Sequence, residues 1–182
     1  EKINPSHPII HPPRYFAAMK LAPHARPPVA LRYLMWSLAA AVSDKYENLH
    51  RLFYERARKY AEAEEMKDLG EHVVNLAYCQ TWLLMAMYEF KMISLPRAWL
   101  SAGKAIRLAL MLGLNRLDGG ESNVKPCIFP SRDWTEKEER RRVFWMAFCV
   151  DRYASSGTGW PMMIDERDVS LLPVCTFRES RL

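Results

Sequence analysis

Along most of the chain, apolar residues recur at helical rather than alternating spacing. From Val29 to about Ser43 the stretch VALRYLMWSLAAAVS is apolar almost all round, which predicts a buried helix opened by Pro27 and Pro28. The segment from about Tyr46 to Met66 is amphipathic: Leu49, Phe53, Ala57 and Tyr60 share one face, and Glu55, Arg58, Lys59 and Glu62 fall outward. Residues 71–92 form the most deeply buried candidate, with Val74, Leu76, Ala77, Trp82, Leu83, Met85, Met87 and Tyr88. Asn75 and Gln80 inside it need hydrogen-bond partners if they are internal. A further helix is expected from about Pro96 to Leu112, with Trp99, Gly103, Ile106 and Leu110 on one face. Gly103 would let a second helix approach. Gly113 followed by Leu114 predicts a helix stop with a left-handed glycine.

Seven of the twelve prolines lie in the first 28 residues. Proline removes an amide donor and pushes its predecessor out of the helical region, so residues 1–28 read as an extended arm with at most a short helix in RYFAAMKL. Residues 115–132 hold DGGES and FPS and predict a long loop. The last helix opens with DWTEKEERRR. Thr135 and Glu138 have capping-box spacing, and Glu136, Glu138 and Glu139 complement the positive end of the helix. Glu136 can reach Arg140, and Glu138 can reach Arg142, four residues on. The arginine run is thus partly neutralised within its own helix, where a solvated end enters the core. From Val143 to Val150 every face is apolar, and burying Phe144, Trp145 and Phe148 is worth roughly 2–3 kcal/mol each. No strand pattern persists. The expectation is an all-α fold of five to six helices in antiparallel pairs, with a proline-rich arm at 1–28 and a helical body at 29–182. No internal repeat is evident. A start at Glu1 without methionine suggests a piece of a longer protein.

Composition agrees with long helices: 49% of the 182 residues are apolar, 12% are aromatic, and only seven are glycine. The net charge of +5 invites a nucleic-acid reading until its distribution is counted. Residues 1–45 carry +4, whereas residues 132–182 hold nine positive and nine negative charges. Binding a phosphate backbone needs many convergent cations, and the arginine run has no such excess around it. Cys79, Cys127, Cys149 and Cys175 lie too far apart for a zinc site, and a reducing compartment suits them. No signal peptide is visible. The most apolar stretch is broken by Asn75, Gln80, Thr81 and Glu89, which argues against a membrane span.

Candidate chemistry is sparse. GTGWPM places Met162 where a third phosphate-loop glycine belongs, and neither a Walker sequence nor a G-x-S-x-G elbow occurs. His7 and His11 are four apart, but neighbouring prolines forbid the helix that would align them on a metal. Asp165 and Asp168 are candidate acid/base groups; the plainer expectation is that one caps a short turn after GWPMMI. Asp151 and Arg152 follow a wholly apolar stretch, so an ion-pair network is expected there.

The segment from Glu138 to Pro173 resembles the fungal-specific transcription factor domain, the middle homology region of fungal binuclear zinc-cluster transcription factors. The resemblance rests on Glu139, Arg141, Arg142, Phe144, Trp145, Asp151, Arg152, Gly159, Pro161, Leu172 and Pro173. WLSAGKAIRLALMLGLNR, HPPRYFAAMKL and ARKYAE sit where that family has related segments. Trp160 departs from the arginine found between glycine and proline in many members. The resemblance implies a non-enzymatic regulatory domain of a nuclear protein that modulates RNA polymerase II transcription. The six-cysteine zinc cluster that reads DNA in the family is absent, so zinc is expected only in a domain N-terminal to this region, and no cofactor within it. DNA would be reached only through that domain. The implied partners are the parent's own DNA-binding and activation regions, transcriptional co-regulators, a small-molecule effector and a second copy of the parent protein, with no membrane. The motif residues Arg141, Arg142, Phe144, Trp145, Asp151, Arg152, Gly159 and Pro161 are expected to be structural. Two other classes compete: a helical protein–protein interaction scaffold lacking a DNA-binding region, and a small-molecule enzyme using Asp165 or Asp168.

Overall fold

The structure, a computed structural model, describes residues 8–119 and 127–173. Among these residues there are six α-helices and no strand: α1 (Pro12–Met19), α2 (Val29–Ala40), α3 (His50–Glu65), α4 (Leu76–Lys91), α5 (Leu95–Met111) and α6 (Trp134–Thr158). Helix α4 is the central element. It packs most extensively on α5 and also meets α2, α3 and α6, while α2 pairs with α3 and α5 with α6. Short connections make the α2–α3 and α4–α5 pairs antiparallel. The core between them is built from Leu34, Trp82, Leu83, Met85, Ile106, Leu112 and Phe144.

The proline-rich arm is held to this body. Pro12 and Pro13 occupy the first turn of α1, where missing amide donors cost nothing. Just before them, Ile9 and Ile10 are buried in the core. The Ile9 carbonyl accepts from Gln80 Nε2 (2.7 Å), and His11 N–H donates to Glu139 Oε1 (3.1 Å). Gln80 thus finds partners in the arm and in Glu139 (3.0 Å). Asn75 lies at the N-cap of α4, where its side chain accepts from Tyr78 N–H at 3.1 Å.

Three details of the helix faces differ from the periodicity. The buried face of α3 is Tyr54, Ala57 and Ala61, and Tyr60 is exposed. Arg58, expected outward, reaches inward to a carboxylate on α4. The buried face of α5 is Ala98, Ala102, Ala105 and Ala109 with Ile106, since small side chains let α4 come close. Gly103 faces Met163 Sδ, 3.6 Å from where a Cβ would stand, so a loop rather than a helix approaches it. Finally, α6 is capped by Asp133, which accepts from Glu136 N–H (2.9 Å), and not by Thr135. Glu136 reaches back to Arg132 N–H (3.1 Å), and this frees Glu138 for the interior.

Gly113 adopts the expected left-handed conformation after α5, with Leu114 fully buried beyond it. The 115–132 loop begins with a short turn over Leu114–Arg116; its residues 120–126 lie outside the described residues. Helix α4 ends differently, because Ile93 takes the left-handed position (φ 57°) and Ser94 N–H returns to the Glu89 carbonyl at 2.9 Å. A β-branched residue is strained there, and Ile93 is 80% exposed, so little burial depends on it. Ile93→Gly is expected to raise stability by about 1 kcal/mol in urea denaturation. Gly159→Ala, at φ +76° with open space around it, should lower stability by about as much.

Candidate functional site

Helix α6 gathers the motif residues. At 100° per residue, three consecutive arginines must point in three directions, and each finds a carboxylate. Arg140 pairs with Glu136 (2.8 Å) and donates to the Phe129 carbonyl (2.8 Å). Arg141 reaches Glu138 (2.5 Å) and grips both oxygens of Asp118 (2.8 and 2.9 Å from Nη2). Arg142 pairs with the other oxygen of Glu138 at 3.1 Å. All three arginines are buried, and Glu138 between them has no exposure at all. Removing these charges from water is costly, and the paired geometry offsets that cost.

Asp118 is the residue that periodicity and motif spacing missed. Besides Arg141 it accepts from Lys137 Nζ (2.8 Å) and from Leu172 N–H (2.9 Å). Burial by itself would push its carboxyl up; the hydrogen bonds from Arg141, Lys137 and the Leu172 amide outweigh this and hold it well below the ordinary carboxylate range. Around it, residues 115–118 run beside 168–172. Ser170 N–H donates to the Asn115 carbonyl (2.8 Å), and Asn115 Nδ2 donates to the Asp168 carbonyl (2.8 Å). Trp145, half-buried on α6, donates through Nε1 to the Leu172 carbonyl at 2.9 Å. One loop carboxylate therefore ties the end of α5, the start of α6 and the segment near the C-terminal end of the described chain.

The second half of α6 repeats the device. Asp151, buried, accepts from the amides of Met163 and Ile164 (both 3.0 Å) and pairs with Arg152 at 2.9 Å. Arg152 donates to the Ile164 carbonyl (2.9 Å) and lies over the Phe148 ring at 4.3 Å. The chain reverses at Gly159, in the left-handed conformation, and continues through exposed Pro161. Trp160, the departure from the family pattern, leans on Trp99 with ring centroids 5.0 Å apart. Phe144 is fully buried in the core.

The carboxylates considered for catalysis are not brought together. Asp165 caps the turn Glu166–Asp168 by accepting from Arg167 N–H (2.9 Å), while exposed Asp168 faces Arg116 at 3.8 Å. His7 lies outside the described residues, as does Cys175. Cys79 is buried, its thiol pushed up to about 12 by burial, whereas Cys127 and Cys149 are exposed. Among the described residues no group of three His, Cys, Asp or Glu side chains could hold a metal ion, and no helix is long and apolar enough to cross a membrane.

A second polar cluster also escaped the periodicity. Glu89 of α4, 1% exposed, accepts from the Tyr54 hydroxyl (2.5 Å) and from Arg58 (2.6 Å). Tyr88 beside it stacks on Tyr54 at 4.6 Å and shares a hydrogen bond with His50 Nδ1 at 2.7 Å. A charged residue at a helical position otherwise lined by apolar ones was its only trace in the sequence.

The polar interior of α6 coincides with the segment that carries the family resemblance. Residues 1–180 match the family described as the fungal specific transcription factor domain. The chain belongs to this family. Curated relatives agree with this assignment. A pigment biosynthesis transcriptional activator of Monascus ruber is 37% identical over 164 residues, covering 90% of this chain and 30% of that protein. A citrinin biosynthesis transcriptional activator of the same organism is 32% identical, covering 91% of this chain and 32% of that protein. An ascochitine biosynthesis cluster transcriptional regulator of Didymella fabae is 30% identical, covering 97% of this chain and 29% of that protein. The domain thus spans about a third of the length of these relatives. No solved structure matches it. In this fungal-specific transcription factor domain, the arginine run is an internal ion-pair network.

Proposed function

We infer that this domain is the regulatory body of a fungal zinc-cluster transcription factor. It acts in the nucleus without catalysis and without reading DNA itself. The observation that carries this reading is the burial of Arg140, Arg141 and Arg142 in carboxylate pairs, which leaves the motif no free cations for a phosphate backbone. DNA recognition belongs to a binuclear zinc cluster elsewhere in the parent protein. The helical body changes how that cluster and an activation region are presented, in response to an effector or a co-regulator. Asp118 and Asp151 suit such a role, since each anchors a loop segment to α6. The relatives named as activators or regulators of biosynthetic clusters support a similar assignment for the parent.

Fluorescence anisotropy with labelled duplex DNA tests the central point. The 182-residue chain should bind only weakly, without sequence preference, and lose that binding as salt rises. Tight binding to one sequence would overturn this reading.

A further inference from the structure

The outer seam of the α2–α3 pair carries bulky apolar side chains that the core covers only in part. Tyr33 and Trp36 come from α2, and Leu52, Phe53 and Tyr60 from α3. Trp36 is 47% exposed, and Leu52 and Tyr60 are each 42% exposed. The rings hold one another in place. Tyr33 stacks on Tyr60 (5.7 Å between centroids, 6° between planes) and meets Trp36 edge-on at 5.2 Å. Trp36 in turn meets Phe53 edge-on at 6.0 Å. Aromatic side chains already fixed by their neighbours lose little freedom when a partner covers them.

The charge around this seam is one-sided. Arg56 lies over the Tyr33 ring at 5.8 Å and stands four before Tyr60, and Lys59 precedes Tyr60, whereas Arg32, four residues before Trp36, is partly buried on the side of Tyr15 of α1. Helix α2 has no acidic residue. Glu55 and Glu62 of α3 are engaged by Arg51 and Arg58, and among the described residues no carboxylate pairs with Arg32, Arg56 or Lys59. Helix α6 is the contrast: there the fold supplies every arginine of the run with a carboxylate.

We propose that this seam docks an acidic amphipathic helix of a partner protein. Its leucine or phenylalanine side chains cover Trp36 and Tyr60, and its carboxylates face Arg56 and Lys59. Apolar anchors at helical spacing fit a seam between two helices, and a tryptophan at its centre is the kind of residue that dominates such contacts. A second copy of this chain has a rival segment of similar chemistry. Met66 and Leu69, 85% and 91% exposed, lie among Glu64, Glu65 and Asp68. There, however, Glu64 is engaged by Lys67 and His72, and Glu65 by Lys104.

The probe is a fluorescein-labelled synthetic helix of about five turns, with Leu and Phe on one face and Glu and Ala elsewhere. Its control has Lys in place of every Glu. With the 182-residue chain, the acidic peptide should bind at least about tenfold more tightly than the control. Binding should weaken as salt rises. Trp36→Ala and Arg56→Glu should each weaken it about tenfold or more, with cooperative melting retained because both side chains lie at the surface. Absence of binding, equal binding of the two peptides, or indifference to both substitutions overturns the proposal. So does self-association in sedimentation that Trp36→Ala abolishes, because the seam would then hold a second copy.

Discussion

Arg141→Met is expected to lower the stability of the domain by about 3–5 kcal/mol, measured as a shift of the urea midpoint. Methionine fills much of the same volume, so loss of packing contributes little. The cost comes from Glu138, fully buried, and Asp118, partly buried, both left with fewer partners. Asp118→Asn should be milder alone, because an amide can still accept from Leu172 N–H. Combined with Arg141→Met it should cost clearly less than the sum, since one interaction is being removed twice. Independent, additive losses would show that the pair is not a unit.

The same carboxylate sets an acid-side dependence. The folded-state pKa of Asp118 lies below its ordinary value of 3.8, so its contribution is fully present above that value and is lost as pH falls through the folded one. Wild-type stability should therefore fall on acidification below about pH 4, and Asp118→Asn should flatten that slope. Glu139 works in the opposite sense. Burial raises its carboxyl pKa despite donors from His11 N–H and Gln80, so its contribution declines as pH rises from 4.5 through the folded value.

The second large effect belongs to Asp151. Asp151→Ala leaves the amides of Met163 and Ile164 without their acceptor and takes from Arg152 its nearest carboxylate. A loss of about 3 kcal/mol is expected, since each unsatisfied buried group costs about 1–3 kcal/mol. Hydrogen exchange should localise the damage. The Met163 and Ile164 amides should exchange much faster in the variant, while α4 amides change only by the drop in global stability. Trp145→Ala should also act mainly on stability, through its packing and its bond to the Leu172 carbonyl. Unchanged melting with altered transcription of a reporter by the parent protein would instead make Asp151 or Trp145 a functional contact.

The helices themselves could be read from the chain. Val29, Pro96 and the apolar run before Gly113 mark boundaries that the structure keeps within a residue or two, because prolines, caps and 3.6-residue periodicity are local properties. The pairing of Glu136 with Arg140 and of Glu138 with Arg142 was legible for the same reason: four residues along a helix is one turn. Orientation was less secure. On α3, Tyr54 and Tyr60 are similar side chains on different sides of the helix, and what lies opposite them decides which is buried.

The amino-acid sequence by itself therefore determined an all-α chain, the family it belongs to and the internal neutralisation of its arginine run. Its helix ends held for α5 but not for the starts of α3 and α4, which begin at His50 and Leu76 after short turns rather than near Tyr46 and residue 71. Only the tertiary structure decided that Asp118 is the third partner in that run, that Glu89 is held by Tyr54 and Arg58, and that Asp151 anchors residues 163–164. These contacts join residues 12 to 35 positions apart. No local spacing encodes them, because a buried charge is matched by whatever the packed helices bring within hydrogen-bonding distance.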